Sequence, residues 1–218
     1  MGALHVPTTT SAGSRAAKGE ASRRRILDAA AACFCEVGFQ RTRFEDVARS
    51  AAVSRALIYS YFGSKENLLV EVRDRALLEW RVAVIPDIER AVSASAKLAA
   101  MLRQTLLYAR SHPLLQAILA DDARVVVPGA ETKAGPGLEA WRRRLVRILR
   151  QGVASGELRE DLDVARTADV LRAMQLGLID RMHRRPDPID VGDEVHVEAA
   201  VEMVLHGLVG KSEASDSP

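Results

Sequence analysis

The residues able to do chemistry are few, and their types suit holding an anion better than breaking a bond. His5, His112, His183, His196 and His206 are scattered, and no HExxH, glycine-rich phosphate loop or nucleophile elbow sets any of them beside a partner. Cys33 and Cys35 are two residues apart, so on a helix their side chains diverge by roughly 200° and cannot pair. With no other cysteine in the chain, no thiolate metal site can be assembled. The acids Asp121-Asp122 stand at an expected helix end, where capping is their ordinary work. The chain is therefore expected to have no catalytic residue, no metal and no cofactor. What remains is a concentration of cations, hydroxyls and phenols between Thr42 and Lys65. Arginine, lysine, serine and tyrosine grouped in this way supply phosphate contacts and base-edge contacts.

Two short helices are expected to position them. Phe44, Val47, Ala48 and Ala51 recur at three- and four-residue spacing, an apolar stripe whose opposite side carries Glu45, Asp46 and Arg49. Thr42 with Glu45 three residues on reads as a capping box. Ser54 reads as the N-cap of a second helix from Arg55 to about Tyr61, stopped by Gly63. Seven residues at 1.5 Å give roughly 10 Å, comparable with a major groove about 12 Å wide. The pair reads as a helix-turn-helix. Ser64 opens a third helix with Lys65 in its first turn. A lysine there opposes the macrodipole, a disfavour that a bound phosphate would relieve.

Arg25-Ile26-Leu27, Ala29, Ala30, Phe34, Gly38-Phe39, Thr42, Val47-Ala48, Val53-Ser54, the run Tyr59 to Glu66 and Leu68-Leu69 together resemble the N-terminal domain of TetR-family transcriptional regulators. The likeness spans about Arg23 to Leu69. Ala52 departs from it where the turn usually has glycine, as do Arg43, Ala56-Leu57 and Ser60. The resemblance implies an all-α fold: a three-helix DNA-binding domain joined to a larger helical domain that binds a small molecule and dimerises. Arg43, Arg55, Ala56, Leu57 and Ser60 are then the groove-facing candidates, with Thr42, Tyr59, Tyr61 and Lys65 on the phosphates.

Composition agrees. Nearly half the residues are hydrophobic but only 4% are aromatic, which favours helix over sheet. No apolar run approaches the ~20 residues that span a bilayer and no secretory signal opens the chain, so the expected location is cytoplasmic, on the bacterial nucleoid. Up to Lys65 ten basic residues stand against five acidic ones, a local +5, so in a chain of net +2 the remainder carries −3. A basic end on a mildly acidic body suits a protein that meets a polyanion, double-stranded DNA, at one end only.

The expected organisation is a flexible arm over 1–20, the helix-turn-helix domain over 21–65, the effector and dimerisation domain over 66–210 and a disordered tail over 211–218. Ala21 to about Val37 reads as helix, with Ile26, Ala30, Cys33, Phe34 and Val37 inward. A helix from Glu66 onward links the head to the second domain, and Pro86 marks a break or a new first turn. Further helices are expected over Ser95–Ser111, Leu114–Leu119, Leu138–Ala154, Val164–Met182 and Asp193–Leu208, and a surface loop over Arg124–Gly137.

The resemblance assigns the last two helices to a homodimer interface, for which Leu171, Gln175, Leu178, Val197, Val201 and Val204 are the candidates. A two-fold dimer would present two recognition helices to a near-palindromic site. The same resemblance implies an effector cavity, for which Met101, Gln104, Thr105, Tyr108, Trp141 and Met174 are the candidates. The scarcity of aromatics favours a flexible aliphatic or acyl ligand over a planar one. The function expected is a homodimeric repressor released by a small molecule. A protein-binding activator or adaptor is the reading of another class that the residues leave open.

Overall fold

Segments rich in Ala, Leu, Glu and Arg, with apolar residues every third or fourth position, have one economical way to hide their apolar stripe, and the structure uses it throughout. The computed structural model describes residues 10–122, 125, 136–184 and 189–209. Among the described residues there are nine α-helices: α1 Thr10–Val37, α2 Phe44–Ala51, α3 Arg55–Phe62, α4 Lys65–Arg90, α5 Ala94–Arg110, α6 Pro113–Leu119, α7 Pro136–Ala154, α8 Val164–His183 and α9 Glu194–Leu208. None of these helices is long and apolar enough to cross a membrane. The chain divides into two units, Met1–Val72 and Arg73–Pro218, so the division falls inside α4 rather than after Lys65.

In the first unit, Ile26, Ala30 and Phe34 of α1, Phe44 and Val47 of α2, Ile58 and Phe62 of α3, and Leu68, Leu69 and Val72 of α4 are all buried. The stripe spacing predicts most of these positions, but Val37, expected inward at the end of α1, is exposed. Two expectations need correction. Helix α1 begins at Thr10, inside the segment read as an arm; the Tyr61 hydroxyl donates to the Gly19 carbonyl at 3.0 Å and ties that segment to the head. The capping box lies one residue later than expected. Arg43 is the N-cap of α2, and its backbone N–H donates to the Asp46 carboxylate at 3.2 Å. Thr42 is 1% exposed and its hydroxyl donates inward, to the Gly38 carbonyl at 2.8 Å.

In the second unit α4 runs through Pro86 without ending. A proline forfeits one backbone hydrogen bond, but Val84 and Ile88 on either side are buried and hold the helix in register. Serine and aspartate start the later helices: Ser93 accepts from the Ala96 N–H, Asp163 from those of Ala165 and Arg166, and Asp193 from that of His196. Each oxygen satisfies donors left open by the helix start. Gly152 of α7 lies against Ala94 of α5; a β-carbon at Gly152 would fall 2.9 Å from the Ala94 β-carbon and 2.6 Å from the Leu158 side chain. The C-terminal end of α7 thus meets the N-terminal end of α5, and the two run antiparallel. Ion pairs join the helices: Arg142 to Asp169 at 2.9 Å, Arg144 to Glu89, and Arg103 to Glu198, whose two carboxylate oxygens accept from Nε and Nη2 on one edge of the guanidinium. The expected loop over Arg124–Gly137 falls largely outside the described residues, though Pro136 and Gly137 already belong to α7. The expected tail over 211–218 lies outside them entirely.

Candidate nucleic-acid interface and effector cavity

Helix α3 buries Ile58 and Phe62 and turns Arg55, Ala56, Tyr59 and Ser60 outward, with Leu57 half-buried. Its start is the one the sequence predicts: the Ser54 hydroxyl accepts from the Leu57 N–H at 3.2 Å. On the outward face Arg55 is held by Glu45 of α2, guanidinium to carboxylate at 2.6 Å. That bond keeps the Glu45 carboxyl below the usual carboxylate range and pushes the arginine up. The Arg55 guanidinium also lies 5.9 Å from the centre of the Tyr59 ring, and Tyr59 meets Phe44 edge-on at 4.6 Å. The tyrosine is half exposed, at 50%, so one edge packs while the rest faces solvent. The Ser60 hydroxyl donates to the Leu57 carbonyl at 2.8 Å, which leaves its oxygen free to accept. Arg43 is exposed at the adjoining start of α2.

Three residues expected on phosphates have other occupations. Thr42 is buried as described. Tyr61 spends its hydroxyl on Gly19. Lys65 turns inward: its ammonium donates to the carbonyls of Phe39, Gln40 and Thr42 at 2.8, 3.4 and 3.1 Å and stands 4.4 Å from the centre of the Phe39 ring. Three carbonyl dipoles of the α1–α2 connection offset the cation that helix electrostatics disfavours. Sequence spacing cannot show this, because the two segments meet only in the folded head. Arg23, at the start of the basic run, is likewise engaged, by Glu71. Burial pushes the Cys33 thiol up, with Asp46 and Glu36 adding to the effect, which disfavours the reactive thiolate.

The turn between α2 and α3 is made without glycine. Ala52 closes α2 at φ 52° and ψ 50°, and the Val53 N–H reaches back to the Ala48 carbonyl at 3.0 Å. A β-carbon in the left-handed region is strained. Ala52→Gly is therefore expected to stabilise the protein by about 0.5–1 kcal/mol, read as a higher denaturation midpoint at unchanged slope. A lower midpoint would show that the turn carries no such strain.

The second unit contains a cavity of about 280 Å³. Its wall comes from α5 (Leu98, Met101, Leu102), α7 (Leu145), α8 (Leu171, Met174, Gln175, Gly177, Leu178) and α9 (Ala200, Met203, Val204). Gln175 is the one polar side chain in that wall. Met101 and Met174 stand where a ligand contact was expected; Gln104, Thr105, Tyr108 and Trp141 are outside the wall, and Thr105 turns its hydroxyl to the Met101 carbonyl. The residues expected at a dimer interface occupy two kinds of position in the single chain. Val197 and Val201 are 1% and 2% exposed within a single chain, and Leu171, Gln175, Leu178 and Val204 line the cavity. The exposed apolar residues of the last two helices are Val170, Ala173 and Gly177 on α8 and Val195, Ala199 and Met203 on α9, of which Gly177 and Met203 also border the cavity. An apolar stripe in sequence does not say which of its edges faces the core, a cavity or another chain.

A helix-turn-helix unit joined to a larger helical unit is the architecture of a DNA-binding transcriptional regulator, and comparison with known proteins gives the family. Residues 26–72 match the family model for bacterial regulatory proteins of the tetR family, and residues 128–192 the model for the tetracyclin repressor-like C-terminal domain. The chain is 32% identical to the transcriptional repressor KstR2 of Mycolicibacterium smegmatis over 66% of this chain and 71% of the relative. It is 27% identical to the fatty acid metabolism regulator protein of Bacillus subtilis over 72% of this chain and 78% of the relative. Its fold overlays the crystal structure of FadR from Bacillus subtilis, solved with stearoyl-CoA, with a TM-score of 0.74 at 22% identity, covering 84% of this chain and 98% of the other. The chain belongs to the TetR family. It is a DNA-binding transcriptional repressor, and the related proteins are named as transcriptional regulators.

Proposed function

We propose that the effector is a molecule with a flexible apolar chain, of the acyl-thioester class, and that it occupies the α5–α7–α8–α9 cavity. The observation that carries this is the wall itself: leucine, methionine and valine from four helices, one glutamine amide, and no aromatic ring or charge to select a planar or ionic ligand. The stearoyl-CoA held by the structurally similar FadR supports the same class. Such a ligand relieves repression only by the difference between its affinities for the DNA-incompetent and DNA-competent forms. On the nucleic acid, Arg55, Ala56, Tyr59 and Ser60 face the groove with Arg43 beside them, and Leu57 packs at the edge. Between protomers, the small and flexible residues Val170, Ala173, Gly177, Val195, Ala199 and Met203 form the self-pairing face, where side chains of this size let helices approach closely.

The experiment is binding of the native dimer to a labelled fragment of the DNA flanking its own gene. Decanoyl-coenzyme A is expected to release the fragment and to raise the melting temperature by several degrees, since a ligand at a hundred times its Kd adds about 2.7 kcal/mol. Planar aromatic acids at the same concentration are expected to do neither. Release by the aromatic acids alone would refute the assignment. For the head, Arg55→Ala should lower discrimination between operator and random DNA about tenfold or more, with little change in the salt dependence of random binding. A uniform loss on every sequence would instead make Arg55 a backbone contact.

A further inference from the structure

Glu45 is an acid on the side of the head that carries the groove-facing candidates, and it is tied to one of them. Glu45 is the second residue of α2 and Arg55 the first of α3, and the Arg55 Nη1 donates to the Glu45 Oε1 at 2.6 Å. Stability does not explain the pair. Both side chains are more than half exposed, and an ion pair in that setting contributes little. The helix dipole favours an acid in the first turn of α2, but it does not account for a bond to another helix.

The bond holds the arginine on a built surface. Its guanidinium also stands 5.9 Å from the centre of the Tyr59 ring, Tyr59 meets Phe44 edge-on, and Phe44 is buried in the head. A carboxylate on one side and a ring anchored to the core on the other restrict a side chain that is rich in rotamers. They leave part of it unused. The Nη1 is engaged, while the Nε and Nη2 donors have no partner among the described residues. In the planar fork those two form one edge, which can meet two acceptors at once, as the O6 and N7 atoms of guanine offer. Phosphates of any sequence attract by charge, and the charge of Arg55 is already balanced by Glu45.

We propose that Glu45 is a specificity-determining residue: it positions the Arg55 guanidinium so that the free Nε and Nη2 edge meets a guanine, and by neutralising the arginine it withholds that side chain from the phosphates of unrelated DNA. The inference rests on the groove-facing reading of Arg55 above and adds what keeps that arginine selective. Glu45 is a positioning residue, acting through Arg55 rather than by touching a base.

The test measures the ratio of affinities for two duplexes of equal length, one that the native protein selects from a randomised pool and one of random sequence. It compares the full-length native protein with Glu45→Gln, Arg55→Ala and the double variant. Glu45→Gln is expected to lower the ratio about tenfold, chiefly through tighter binding to the random duplex. The salt dependence of that binding should also steepen by about one unit of log–log slope, as the released arginine takes up a phosphate. In the Arg55→Ala background the same substitution should leave the ratio unchanged, because a carboxylate that merely repels DNA repels both duplexes alike. An unchanged ratio in Glu45→Gln, or an equal fall with and without Arg55, would overturn the positioning role and leave Arg55 in the groove. An unchanged ratio in Arg55→Ala would overturn the groove reading and this inference with it.

Discussion

Gly152→Val is expected to destabilise the protein by about 3 kcal/mol or more and to abolish effector binding with it. The added β-carbon alone would sit 2.6 Å from both Cγ and Cδ1 of Leu158 and 2.9 Å from the Ala94 β-carbon. Leu158 is buried, and Ala94 is fixed in the first turn of α5 behind its Ser93 cap, so neither can simply rotate away. Overpacking of this kind typically destabilises by 1–3 kcal/mol, and the γ-methyls of valine add to it. Even Gly152→Ala, which gains roughly 1 kcal/mol in helix propensity, should lower stability by about 1 kcal/mol. Gly207→Ala is the control. It is also a glycine in a helix, but nothing lies within 4 Å of its β-carbon position, so there the propensity gain should stand. Denaturant titration of the three variants decides the matter, and equal gains in Gly152→Ala and Gly207→Ala would show that α5 and α7 do not touch there. The same contact sets the register that brings Leu98 and Met101 opposite Leu145. Forcing it apart alters the cavity as well as the melting temperature.

Lys65→Ala is expected to weaken the head itself, by about 2–3 kcal/mol, in the absence of any DNA. The ammonium serves three carbonyls and the face of Phe39. Bonds from a charged donor contribute about 1.5–3 kcal/mol, and removing the donor leaves partly buried acceptors without a partner. The loss should appear as faster amide exchange across the α1–α2 connection and α2, whose N-cap Arg43 directly follows Thr42. Full stability with weaker binding to every DNA sequence would return Lys65 to the phosphate role that its place at a helix start suggests.

Lys65 also illustrates which parts of the molecule were legible beforehand. Its position at the start of α4 follows from Gly63 and Ser64, and the strain of a cation there follows from the helix dipole. The partner that relieves the strain comes from residues 39–42, more than twenty positions earlier, and only the closed head brings them together. Ala52 behaves in the opposite way. The turn after α2 was readable as one that favours glycine, and the backbone adopts the left-handed conformation with alanine all the same, because α2 and α3 are each held by buried side chains. Pro86 predicts a break or a new first turn, yet α4 continues through it, since burial on both sides outweighs one missing hydrogen bond.

By itself, then, the amino-acid order determined the local periods: nine stretches that read as helical, most of the outward face of α3, the Ser54 cap, and an apolar, aromatic-poor body. Those follow from interactions within a few residues of each other, which a linear chain already specifies. Tertiary structure alone decided which apolar residues line the cavity, which stay exposed on α8 and α9, and which cations are already engaged. Each of these depends on how helices distant in sequence approach one another, and that is set by the simultaneous packing of all of them.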